Sequence, residues 1–183
     1  MADSSAAESN PGEPDAAELT AEPDAANPSA DEQRTIRPED LSADYENADV
    51  REAILAFQSA PDHDRLATFL NSLRSGLLIA DVTGVQKKKK GTRARTIRST
   101  KGQIVLPLFT SMNELRLAHP AGRRDQAKGA MMPAVEALKL IRSGPIVAVE
   151  FDAGSAALVV LRKFIDIAIE PGEITSAGLE AMR

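Results

Sequence analysis

The residues best suited to chemistry in this chain are cations. Lys87, Lys88, Lys89, Lys90, Arg93, Arg95, Arg98 and Lys101 follow one another closely, with no acidic residue between Thr83 and Gln103. Such a run can neutralise phosphates and release their counterions, which gives nucleic-acid binding without sequence preference. The same charges suit an acidic protein, an anionic membrane surface or the chain's own acidic beginning. With no partner they form a solvated loop. Lys87, Lys88, Lys89, Lys90, Arg93, Arg95 and Arg98 are therefore the candidate polyanion-binding residues. No aromatic residue is interleaved, whereas single-strand binders usually supply rings on which bases stack. Gly84–Thr92 also misses the phosphate-loop pattern, because position 89 is lysine and the glycine falls at 91, after the lysines.

Other reactive residue types are sparse. The chain has no cysteine, which excludes disulfides, thiolate metal sites and cysteine nucleophiles. Of two histidines, His63 lies between Asp62 and Asp64 and reads as a surface residue at a helix start. A lone imidazole with flexible carboxylates is not a ligand set. His119 precedes Pro120 in a predicted loop with no nucleophile beside it. Ser155 follows Gly154 outside any G-x-S-x-G pattern and reads as a turn residue, as does Asp152. Ser111 and Glu114 have capping-box spacing, with Glu114 predicted to occupy helix-start donors that an anion would otherwise take. No catalytic residue, cofactor site or metal site is predicted.

The elements that position these residues follow from hydrophobic periodicity. Val50, Ala53, Ile54 and Phe57 share one face of a helix capped by Asn47 or Asp49, and Leu66, Phe69, Leu70 and Leu73 share one face of a second helix closed by Gly76. Leu77–Val82 reads as a strand leading into the basic connection Thr83–Arg95. Arg95–Arg98 and Gln103–Phe109 read as a hairpin. Pro107 cannot donate to a ladder, so its strand is expected at an edge or kinked there. A short helix from Ser111, a polar loop over Ala118–Gly129, and a helix from Pro133 to Gly144 follow. Ile146–Phe151 and Ala156–Val160 then pair across Asp152–Ser155, and a helix over Leu161–Ile169 is stopped by Pro171-Gly172. Leu106, Phe109, Leu138, Val149 and Phe151 are the predicted core. Hairpins without βαβ repeats predict an α+β fold: one small domain with a mainly antiparallel sheet and flanking helices.

Composition frames this domain. Hydrophobic residues make up 43% of 183 and aromatics 3%, so the core is aliphatic. Nine acidic residues and no basic ones precede Arg34; taking −9 from the net charge of −5 leaves +4 on the rest. Residues 1–33 are expected to be a disordered acidic tail, 34–47 transitional, 48–170 the domain and 171–183 a C-terminal extension. No leader and no apolar run of about 20 residues is present, which predicts a cytoplasmic protein without integral membrane insertion.

Leu106–Leu115, with sequence Leu-Pro-Leu-Phe-Thr-Ser-Met-Asn-Glu-Leu, resembles the first motif of the SseB N-terminal domain family at Pro107, Phe109, Thr110, Ser111, Glu114 and Leu115. Val149–Ser155 is similar to its second motif at Asp152 and Gly154, with Ala153 where proline is usual; Lys87–Lys90 lies outside the pattern. The resemblance implies an α+β domain, structural roles for these motif residues and no catalytic residues. The expected function is a non-enzymatic protein-interaction module with a protein partner. The alternatives are a weak, sequence-nonspecific nucleic-acid or polyanion binder acting through the basic loop, and an enzyme or small-ligand protein whose site is not legible.

Overall fold

In a computed structural model, residues 45–85 and 93–182 are described. The expected tail and Lys87–Lys90 lie outside them. Helices α1 (Ala48–Ser59) and α2 (His63–Ser72) come first, capped by Asn47 and Asp62 side chains that accept from Val50 and Arg65 N–H. Strands β1 (Leu77–Asp81), β2 (Ile97–Arg98) and β3 (Ile104–Phe109) follow, then α3 (Met112–Leu117), a 3-10 turn at Ala121–Gln126 and β4 (Gly129–Pro133). Helix α4 (Ala134–Lys139), β5 (Ile146–Phe151), β6 (Leu158–Leu161), α5 (Arg162–Ile169) and α6 (Ser176–Glu180) complete the chain. The sheet runs β4-β1-β3-β5-β6, with β2 paired to β3. Only β3–β5 is parallel among these pairs, so the α+β class and the mainly antiparallel sheet are both present.

Strand alternation sorts the core into two layers. Leu78, Leu106, Leu108, Val149, Phe151 and Val160 join α1, α2, α4 and α5 in the larger cluster, where Phe69 meets Phe151 edge-on at 5.4 Å. Ile79 and Phe109 face the other way and pack with Leu115 of α3. All five predicted core residues are buried. Among the described residues no helix is long and apolar enough to cross a membrane.

Pro107 meets its expectation only locally: β3 is an interior strand, but on one side it lacks a partner where Pro107 sits. Asp152 N–H donates to the Leu108 carbonyl on the β5 side at 3.0 Å, so by alternation the Pro107 nitrogen faces the opposite side. There the β1 pairing stops at Ala80–Leu108 and the β2 pairing starts at Ile97–Val105. Pro107 thus sits in the gap between two partners, and the Asp81 carbonyl takes Arg95 N–H instead, at 2.7 Å. The polar stretch Ala118–Gly129 is also less open than expected. Its last residue begins β4, paired along all of β1. Gly129 admits this approach, because a Cβ there would meet Ile79 Cγ2 at 2.5 Å and Met112 Sδ at 2.7 Å.

Candidate functional site

Two groups of charged side chains emerge, one at each end of β1. The first joins α1, α3 and the β5–β6 turn. Arg51 of α1 donates to Glu114 Oε1 at 2.5 Å, pairs with Glu46 at 3.1 Å and lies 3.6 Å from Asp152. Ser155 donates its hydroxyl to the other Glu114 oxygen at 2.6 Å. Thr110 donates its N–H and its hydroxyl to the two Asp152 oxygens, both at 2.8 Å. Asp152 is wholly buried and has a positive φ of 48°, a conformation that Asp tolerates better than most residues. Burial pushes its carboxyl up; Thr110 hydrogen bonds pull it down, Glu114 raises it further and Arg51 lowers it, leaving it above its ordinary value. For Arg51 burial acts against the charge, but the Glu114 hydrogen bond and the three carboxylates outweigh it, so its pKa rises.

The family-motif residues thus meet in space. Thr110 binds Asp152, and Ser111 caps α3 by accepting from Glu114 N–H at 3.2 Å. Gly154 lies flush against the end of α3, where a Cβ would come within 2.6 Å of the Leu117 and Ala118 backbone. The capping box is only half formed, since the Glu114 side chain turns to Arg51 and Ser155 rather than to Ser111. Asp152 is also more than a turn residue, holding β3 to the β5 end. A cleft of about 420 Å³ opens beside the cluster, lined by Tyr45, Glu46, Arg51, Glu114 and Arg116 among others.

The second group surrounds Asp81 at the far end of β1. Asp81 Oδ1 accepts from Thr83 N–H at 2.8 Å, and its Oδ2 accepts from His119 Nε2 at 3.1 Å. A carboxylate only accepts, so the ring proton is on Nε2. Arg95 lies 3.6 Å away with half its side chain exposed. His119 lies in the expected loop and is buried there, enclosed as the chain folds back along β1. Val82 N–H donates to the Lys128 carbonyl at 2.8 Å and Lys128 N–H to Thr83 Oγ1 at 2.9 Å. Of the candidate polyanion-binding residues, Arg93, Arg95 and Arg98 are exposed, and Arg98 donates to the Gly102 carbonyl at 3.3 Å. His63 is half-exposed at the start of α2.

The model of the SseB protein N-terminal domain matches residues 50–166. The chain belongs to this family. No curated protein and no solved structure matches it. In this SseB domain the matched span holds both charged groups, although Glu46 and Tyr45 precede it. Arg51 and Asp81 are the residues that the sequence did not single out, and His119 was weighed there without its partner Asp81. The one local signal was Asp81, a lone acid closing an apolar strand just before the basic run.

Proposed function

We propose that this SseB domain is a non-enzymatic protein-interaction module, and that its partner adds an extended segment to the edge of β6. The carrying observation is the state of that edge. Val159 and Leu161 are each 53% exposed, and Leu158–Leu161 contains no charge, proline or bulge. Because Asp152 N–H faces β3, alternation points the backbone of Val149 and Phe151 at β6. The backbone groups of Val159 and the N–H of Leu161 then face outward, beside their own exposed side chains, while the Leu161 carbonyl starts α5. Unprotected edges of this kind template strand addition, and backbone pairing with alternate side-chain contacts is a recurrent way to hold a peptide. The opposite edge differs: β4 is half-buried over most of its length and ends in Pro133.

The non-enzymatic part of the reading is supported by the cluster beside the cleft. Its two buried carboxylates, Glu114 and Asp152, are held by Arg51, Ser155 and Thr110, which commits them to the fold rather than to a substrate.

A photo-crosslinking amino acid at Leu161, introduced in the source cell, tests the reading. Polypeptide adducts should form at 161 and not at Leu55, which is equally exposed on α1. Val159→Pro should abolish them while sparing the β5 ladder, since the lost N–H faces outward. Equal adducts at both positions, or none at 161, would overturn the proposal.

A further inference from the structure

We infer that the C-terminal end of β1 organises a two-part cationic surface that binds duplex nucleic acid through its phosphates, without sequence preference. The sequence displays one basic run. The fold adds a second segment to it. Arg93 and Arg95 leave the first run beside Asp81, while Arg123, Arg124 and Lys128 arrive on the segment that follows His119. Asp81 binds the two together, through Arg95 on one side and His119 on the other. The Val82–Lys128 and Lys128–Thr83 hydrogen bonds close the junction, and Arg124 Nε donates to the His119 carbonyl at 3.4 Å. All five cations are exposed, against one exposed carboxylate, Asp125, on the same segment.

Three features select the ligand. Four of the five cations are arginines, whose planar donor forks match phosphate oxygens. Among the described residues the exposed large apolar side chains are Leu55, Val159, Leu161 and Met182, all on other segments, so the described part of this surface offers none of the apolar anchors on which protein interfaces depend. It also holds no aromatic ring, which single-strand binding would use for stacking. A duplex backbone needs only charge and polar donors. This surface is separate from the β6 edge, and neither proposal depends on the other.

The test is fluorescence anisotropy of the full chain with a labelled 24-base-pair DNA of arbitrary sequence, titrated across a salt series. Wild type should bind with a Kd on the order of 10⁻⁵ M at about 0.1 M salt, weakening steeply as salt rises. Replacing Arg123, Arg124 and Lys128 with glutamine should reduce the log–log salt slope by about 2–3, at roughly 0.9 for each phosphate no longer neutralised. Circular dichroism checks the fold. The double variant Arg123→Gln with Lys128→Gln alters only exposed side chains and should produce about two-thirds of that reduction. A charge-matched control, with Arg65, Lys139 and Arg142 changed to glutamine, should retain the wild-type slope. A shallower slope in the control would trace binding to overall charge and overturn the site. An unchanged slope in the triple variant would assign binding to the first run alone and overturn the two-part surface. No binding by wild type, or equal affinity for polyglutamate, would overturn the nucleic-acid assignment.

Discussion

The two charged groups use the same residue types to opposite ends. Around Arg51, one guanidinium meets three carboxylates, two of them buried, and hydroxyls and an N–H complete the set. Around Asp81, one buried carboxylate holds buried His119 and half-exposed Arg95, and further cations on the two adjoining segments extend into solvent. Charges removed from water must be matched in place, or the desolvation cost falls on the fold. Charges left in water tolerate imbalance, and imbalance is what attracts a partner. The enclosed group, whose buried carboxylates have hydrogen-bond partners, therefore ties elements together, whereas the exposed one is available for binding.

Breaking the enclosed group should produce the largest effect. Asp152→Ala leaves Thr110 with two buried donors and places alanine at a positive φ, and it should cost about 3–5 kcal/mol in urea denaturation. A loss under about 1 kcal/mol would show that the cluster holds nothing together. Gly154→Ala presses a methyl into the backbone after α3 and should cost about 1–3 kcal/mol by the same measurement.

A pH series sharpens the comparison further. The Asp152 carboxyl titrates above its unfolded value, so the folded state holds its proton more tightly. Its contribution to stability is full below the unfolded pKa and is lost as pH rises through the raised folded pKa. Asp152→Asn should abolish that loss, so the stability difference between wild type and variant should change across this window and be constant above it. A difference that is constant throughout would show that Asp152 titrates normally. The smallest expected effect belongs to the other group. Arg123→Gln and Lys128→Gln should move the thermal midpoint by no more than about 2 °C, even as they weaken binding to DNA. A large drop would make these cations structural and erase the contrast.

The elements that can be read from the sequence depend on neighbours along the chain. Asn47 and Ser111 cap their helices through residues three positions on, and the helix faces follow the 3.6-residue period. Strand β4 is not legible in this way. Gly-Ala-Met-Met-Pro shows neither alternation nor β-branched residues, and only its pairing with β1 makes it a strand.

Local propensity, periodicity and charge counting are properties of the chain alone. They suffice for the class of fold, the core residues, the family motifs and the separation of an acidic beginning from a basic remainder. Folding in three dimensions was needed to put Pro107 in an interior gap, to turn Glu114 toward Arg51 and to bury His119 on Asp81. Each of these depends on groups brought together from distant positions, and a carboxylate's role follows from what surrounds it in space rather than from the residues beside it in the chain.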